Sequence, residues 1–139
     1  MKIFQYKYIH FWVSIALFIA CLFFPAFYTT QVGKQPVAWD SIPLLLFGWL
    51  GALFNNFSWY ANLFYLVALI KIKNLSISSP LGFIALALAL LLLTKQEMPS
   101  NTWTETVPIT RYGWGYFLWL ASFAVFWLGQ SQLLLNKSK

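Results

Sequence analysis

The chain has 139 residues, of which 60% are hydrophobic, 21% aromatic and only 9% charged. Soluble domains typically carry about 25% charged residues, so the composition excludes an ordinary soluble domain and predicts a membrane protein. With one His and one Cys, the chain cannot by itself build a four-ligand zinc site, an iron–sulfur cluster, a CxxC redox pair or an intrachain disulfide. We expect no metal site and no cofactor.

Four hydrophobic runs are long enough to cross a hydrocarbon core of ~30 Å, for which a helix needs about 20 apolar residues. They cover residues 9–28, 43–70, 78–94 and 112–135. The sequence therefore predicts a single domain of the all-α class. Its expected architecture is an integral membrane four-helix bundle with antiparallel up-down topology.

The second and third spans differ from an ordinary membrane helix. The second span would reach about 42 Å as one straight helix, so it must tilt, kink or protrude. The third is opened by Ser78-Ser79-Pro80, which is typical of a helix start with hydroxyl caps and proline in the first turn. It continues with Leu and Ala and has no interior polar residue, so we expect it to face lipid.

The charges indicate how the chain is inserted. One side of the four-span map holds six lysines and no acidic residue: Lys2, Lys7, Lys71, Lys73, Lys137 and Lys139. The other side holds three basic and three acidic residues, which cancel: Lys34, Lys95, Arg111, Asp40, Glu97 and Glu105. The positive-inside rule then predicts that both termini are cytoplasmic and that loops 29–42 and 95–111 lie outside.

This pattern suits a bacterial inner membrane. Acidic lipid headgroups account for the scattered cytoplasmic lysines, so the bilayer is the expected partner and nucleic acid is not.

Polar side chains in the second span need partners, because hydrocarbon offers none. Five residues of this span are separated by 4, 3, 4 and 3 positions, and this spacing places them in one stripe along a helix. The stripe consists of Gly48, Ala52, Asn55, Trp59 and Asn62, with Asn56 and Ser58 beside it.

The fourth span offers a matching surface. Gly115, Ser122 and Gly129 recur every seven residues and form a groove of small residues, a common helix-packing signal in membranes. We expect the second and fourth spans to pack together here, with Asn55 and Asn62 forming hydrogen bonds across the seam. An alternative is that the adjacent asparagines interrupt the overlong helix and line a polar cavity, as interrupted helices do in transporters.

Several kinds of chemistry are disfavoured. No Asp, Glu, Lys or Arg lies inside a predicted span, whereas proton-coupled exporters and ion pumps generally need such a group. His10 lies at the cytoplasmic start of the first span and all carboxylates lie on the other side, which excludes a Ser-His-Asp triad within one protomer. We expect no catalytic residues, and the chain is predicted not to be an enzyme.

Several motifs together resemble a family of small bacterial four-span inner-membrane proteins. They are Pro25-Ala26-Phe27, Gly48-Trp49-Leu50-Gly51, the W-x-A-N element Trp59-Tyr60-Ala61-Asn62, and Tyr112-Gly113-Trp114 followed by Gly115-Tyr116-Phe117-Leu118-Trp119-Leu120-Ala121-Ser122 (G-Y-x-L-W-L-A-S). The likeness covers most of the chain, but the family pattern has Pro after W-x-A-N where this chain has Leu63. The resemblance implies a bacterial inner membrane and no particular activity.

Two hypotheses for function remain. The first is a structural or accessory subunit of a larger inner-membrane complex or of a homo-oligomer. Its basis is the large aromatics around the fourth span, which exceed the needs of one neighbouring helix: Trp119, Phe123, Phe126 and Trp127. The alternative is a small channel, transporter or lipid- or quinone-binding protein that uses the Asn-rich face of the second span, which predicts a cavity at that level.

Overall fold

The computed structural model describes residues 8–30, 35–99 and 105–137. The expectation of a mostly helical chain is confirmed. The α-helices are α1 (Ile9–Cys21), α2 (Ser41–Phe47), α3 (Ala61–Ile70), α4 (Leu75–Leu90) and α5 (Trp114–Lys137). Short 3-10 helices cover Gly48–Phe54, Ser58–Tyr60 and Leu91–Thr94, and the strands are β1 (Pro25–Thr29), β2 (Val37–Asp40), β3 (Glu97–Pro99) and β4 (Thr106–Tyr112).

The four strands form one antiparallel sheet in the order β2-β1-β4-β3, so the predicted all-α class is wrong in this respect. Phe27 lies at its centre, paired with Trp39 on one side and Tyr112 on the other. Strand β2 lies in the predicted outer loop 29–42, and β3 with most of β4 lies in the predicted outer loop 95–111. Strand β4 is rich in β-branched and aromatic residues, which favour a pleated, half-buried surface.

The predicted second span is not one helix. It divides after Gly48–Phe54 and resumes at Ser58–Tyr60, because Asn55 adopts a left-handed conformation with φ of 56°. Its backbone N–H donates to the carbonyl of Ala52 at 3.1 Å, which ends the helix in the way that a left-handed Asn often does. The single polar stripe predicted for a continuous helix therefore does not form.

The third span is also more enclosed than predicted. Helix α4 begins at Leu75, so Pro80 lies inside the helix rather than in its first turn. A stripe of small residues is buried, namely Ser78, Gly82, Ala85 and Ala89. Helix α4 packs between α3 and α5. The expectation that this helix faces lipid is therefore wrong for its small-residue side.

The helices form an open arc in which α1 packs on α5, α5 on α4, and α4 on α3. A core cluster joins them through Tyr65, Phe123 and Phe126, and a second cluster lies beneath the sheet around Phe27 and Tyr116. Between α1 and α3 the main bridge is Tyr65, whose ring stacks on Phe18. Helices α1 and α3 are thus the two ends of this arc.

Two helical stretches, Leu75–Thr94 and Trp114–Lys137, are long and apolar enough to cross a membrane by length and composition. The other predicted spans consist of shorter apolar helices, which are Ile9–Cys21, Ser41–Phe54 and Ser58–Ile70. Part of the difference arises because residues 25–28 of the predicted first span belong to β1.

The charged residues lie at two opposite ends of the helices. Lys71 and Lys73 lie in the turn between α3 and α4, and Lys137 ends α5, so all three lie at the end opposite the sheet. In the sheet, the Arg111 guanidinium lies 4.2 Å from the centre of the Tyr28 ring. Glu97 accepts a hydrogen bond from Thr106 Oγ1 at 2.6 Å. Lys2, Lys7, Lys34 and Lys139 fall outside the described residues.

Candidate ligand cavity at the helix break

The small-residue groove of the fourth span receives the first span, not the second as predicted. Ser14 Oγ of α1 donates to the Ser122 carbonyl at 2.7 Å. A Cβ atom added at Gly129 would collide with the His10 side chain of α1. At Gly115 it would collide with the backbone of Phe24. The three small residues therefore let α1 and the start of β1 approach α5 closely.

Asn62 is one of the residues through which the second hydrophobic segment, residues 41–70, contacts α5. Its Oδ1 atom accepts a hydrogen bond from Trp119 Nε1 at 2.8 Å. Asn55, by contrast, is exposed at the break, and Ala52 is half-buried in the preceding 3-10 helix. The two asparagines that were expected to share one seam thus have different surroundings, because the helix turns between them.

The break is held by side chains that bind across it. Asn56 Nδ2 donates to Met98 Sδ at 3.2 Å, and Asn56 Oδ1 accepts from the Ser58 backbone N–H at 3.2 Å. Trp59 Nε1 donates to the Leu45 carbonyl at 2.8 Å. Gly48 makes room for this indole, since a Cβ there would lie 2.6 Å from Trp59 Cδ1.

Beneath the break lies a cavity of about 90 Å³, which we call the break cavity. Residues of α1, β1, α2, the break, α3, the 3-10 helix Leu91–Thr94, β3 and the first turns of α5 line it. Apolar side chains form most of its wall, including Phe18, Leu22, Phe27, Leu44, Leu92 and Tyr116. Five of the predicted site residues also line it: Gly48, Asn56, Trp59, Asn62 and Gly115. Ala52, Asn55, Ser122 and Gly129 do not.

Most polar groups of this wall already have protein partners. Ser41 Oγ donates to the Phe24 carbonyl at 2.7 Å, and Tyr116 Oη donates to the Ala89 carbonyl at 3.0 Å. Cys21 Sγ lies 2.9 Å from the Phe18 carbonyl. No charged residue occurs among the described residues that line the cavity. The wall therefore suits a neutral and largely apolar guest.

Ser58 is the exception. Its side chain is only 3% exposed, and Oγ has no hydrogen-bond partner among the described residues. Leaving such a group unpaired costs about 1–3 kcal/mol. The hydroxyl lines the break cavity, so a molecule bound there could supply the missing partner. The sequence marked Ser58 only as a polar residue beside the predicted stripe, and it held no signal for Ser41 or Met98.

A second, more polar cavity of about 360 Å³ lies on the sheet side of the break. Its wall includes Lys95, Glu97 and Thr106, and it shares Asn56 and Met98 with the break cavity. The contact between Asn56 and Met98 thus lies between an inner apolar space and an outer polar one.

Tyr112, at the end of β4, holds the 3-10 helix that forms one side of the cavity. Its hydroxyl lies 2.8 Å from the Leu92 carbonyl and 3.2 Å from the Lys95 carbonyl. These two contacts tie the 3-10 helix Leu91–Thr94 to the end of β4.

His10 lies at the other end of α1, beside Gln130, with 2.9 Å between the two Nε2 atoms. Helix α1 has 13 residues, so about 20 Å of helix separates His10 from the sheet, where Asp40 and Glu97 lie. In residues 8–30, 35–99 and 105–137, no group of three or more His, Cys, Asp or Glu side chains could hold a metal ion.

Comparison with protein-family models, with curated proteins and with solved structures finds no match to this chain. The resemblance based on the W-x-A-N and G-Y-x-L-W-L-A-S motifs stays a prediction. Function is therefore argued from the residues of this chain alone.

Proposed function

We propose that this chain is a multi-pass membrane protein, without enzymatic activity, that binds one lipid-like molecule in the break cavity. The observation that carries the proposal is the cavity itself. It is apolar and free of charged residues within the described chain, and it contains one buried hydroxyl without a partner. This agrees with the alternative in which the Asn-rich part of the second segment forms a binding site rather than a dry seam.

The membrane setting is supported by what the chain exposes. Large apolar side chains lie on its outside, including Phe23 at 78%, Leu53 at 77% and Trp114 at 72% exposure. Soluble monomers rarely expose wide apolar surfaces, whereas hydrocarbon accommodates them. We place the chain in a bacterial inner membrane with all four apolar segments embedded. The excess of lysines then puts both termini in the cytoplasm.

The position of the cavity supports access from lipid. Most lining residues that keep partial exposure belong to the first hydrophobic run, residues 9–28, or to the second hydrophobic segment, among them Phe18, Leu22, Leu45 and Trp59. These partly exposed residues lie at the two ends of the helix arc, and we propose that the guest enters between them. Phe23 and Leu46, which are exposed on these two segments, make that surface apolar.

Filling the cavity tests the proposal. Ala26 lines it, so Ala26→Leu adds three carbon atoms to a space of limited volume and should displace the guest. Ala16→Leu makes the same change on the exposed face of α1 and serves as the matched control. Each protein is purified into lipid nanodiscs, washed with excess synthetic lipid of one kind, and extracted for mass spectrometry.

We expect wild type and Ala16→Leu to retain a distinct lipid-like compound near one molecule per chain, and Ala26→Leu to lose most of it. Retention that is equal in all three proteins, or absent from wild type, would contradict the proposal. A melting curve for each variant shows that the fold is kept.

A second candidate is the structural or accessory subunit of a larger complex or homo-oligomer. The aromatics that first suggested it are largely used within the chain, since Phe123 and Phe126 are fully buried. What supports it now is the outer face of α1, where Trp12 is 64% exposed and a partner helix could pack. The same purification distinguishes the two candidate functions. A lipid-binding protein should retain a lipid-like compound, whereas an accessory subunit should retain another protein at fixed stoichiometry.

A further inference from the structure

We infer that the guest of the break cavity is a neutral long-chain alcohol, which enters hydroxyl end first and meets the Ser58 hydroxyl. Its hydrocarbon chain would leave between α1 and the second hydrophobic segment toward the bilayer. This inference rests on the proposed function and names the ligand class of that site.

Most membrane lipids carry a charged headgroup, and that headgroup would find no counter-charge in the described wall of the cavity. The described wall has no Lys, Arg, Asp or Glu side chain, so a phosphate or an ionised carboxylate would be buried without a counter-charge. Removing an ion from water without such a partner costs several kcal/mol. A neutral polar end carries no such penalty.

Volume limits the size of that polar end. The cavity measures about 90 Å³. An engineered protein cavity that binds benzene measures about 150 Å³. The break cavity is smaller than that, so we expect it to take a terminal hydroxyl with its first carbons in preference to a ring.

Ser58 decides which end enters. A bare hydrocarbon end would leave Ser58 Oγ without a partner, whereas an alcohol can donate to it or accept from it. The neighbouring polar groups are already engaged. Trp59 Nε1 binds the Leu45 carbonyl, Trp119 Nε1 binds Asn62, and Ser41 Oγ binds the Phe24 carbonyl. Ser58 is therefore the hydroxyl that remains available to a guest.

Competition between chains of equal length tests this inference. The full-length protein in nanodiscs is cross-linked to a photoreactive dodecanol that carries a diazirine at the far end of its chain, leaving the hydroxyl end unchanged. Unlabelled dodecanol, dodecane and dodecanoate then compete for the site. Farnesol is added as an isoprenoid alcohol, so that the relative potency of farnesol and dodecanol assigns the natural source to branched or linear lipids.

We expect dodecanol to compete at about five- to tenfold lower mole fraction than dodecane, as one hydrogen bond would give, and dodecanoate at pH 8 to compete least. Ser58→Ala should abolish the preference for alcohol over alkane. It should also fold normally, since Ser58 Oγ binds no group of residues 8–30, 35–99 or 105–137. Ser78→Ala removes another buried hydroxyl that has no partner in the described chain and does not line the cavity, and it should keep the preference.

Two results would overturn the inference in different ways. Saturable labelling with equal competition by dodecanol and dodecane would refute entry by the hydroxyl end, but would leave lipid binding in the cavity intact. Labelling that never saturates with any probe would refute both the inference and the proposed function. In that case water molecules would be the occupants that pair with Ser58.

Discussion

At the residue scale, glycine and serine determine how closely the helices approach one another. Gly129 and Ser122 accept α1, and Gly82 accepts the ring of Phe126. The sequence predicted the groove of α5 from the spacing of small residues, which is a local property, and in the structure α1 lies in it. It did not identify α1 as the partner, because any helix with a suitable ridge could enter that groove.

Alanine substitutions at Gly129 and Gly82 should show which of these two contacts leaves no room for a side chain. Both gain about 1 kcal/mol of helix propensity, but a Cβ at position 129 overlaps the His10 side chain, whereas at position 82 it lies 3.1 Å from Phe126 Cδ1. Overpacking costs about 1–3 kcal/mol. We therefore expect Gly129→Ala to lower the free energy of unfolding and Gly82→Ala to leave it nearly unchanged.

Denaturation in mixed micelles of increasing SDS content measures both variants. Equal stability of Gly129→Ala and Gly82→Ala would show that α1 does not occupy the groove of α5.

At the scale of elements, the break at Asn55 changes the second hydrophobic segment most. It converts one overlong span into two short apolar pieces joined at an angle, and so creates the wall that holds Asn56, Ser58 and Trp59 around the cavity. The sequence raised this possibility but favoured a continuous helix, because no proline or glycine adjoins the asparagine pair. Asparagine can adopt the left-handed conformation itself, which is why the break needs neither.

The relative stability of two variants, Asn55→Ala and Asn55→Gly, tests whether the helix breaks at this residue. A left-handed backbone costs a residue with a Cβ about 1–2 kcal/mol and costs glycine almost nothing. We expect Asn55→Ala to be less stable than wild type by about 1 kcal/mol, and Asn55→Gly to be equal to wild type or slightly more stable. A continuous helix requires the opposite order, because alanine is the best helix former.

The exposed residue Gln132 in α5 is the control for that measurement. Gln132→Gly should be less stable than Gln132→Ala, as in any helix. If thermal unfolding showed Asn55→Gly to be less stable than Asn55→Ala, as expected at position 132, the break would be absent from the folded protein.

At the scale of the whole molecule, the sheet and the lysines mark opposite ends. Both strand pairs lie where α1 and α4 end, and Lys71, Lys73 and Lys137 lie where α3 and α5 end. The positive-inside rule predicts orientation from this unequal distribution of lysines. The sheet closes one end of the helix arc, and the break cavity lies directly beneath it.

Labelling of single cysteines tests the orientation of the chain. In a Cys21→Ala background, Gln35→Cys places a thiol beside the sheet and Asn74→Cys places one beside the lysines, and both positions are exposed. We expect a membrane-impermeant maleimide to label Gln35→Cys in intact spheroplasts and Asn74→Cys only in inside-out vesicles. Labelling of both from the same side would contradict the proposed topology.

The sequence by itself determined where the apolar segments lie, how the charged residues between and beyond them are distributed, and that polar groups in the second segment need partners. These features depend on composition and on short-range spacing. Only the tertiary structure decided that α1 fills the groove of α5, that the outer loops pair as a sheet, and that Ser58 lines a cavity. Each of these depends on contacts between residues far apart in the chain, which compete for the same surfaces, so local periodicity leaves the choice open.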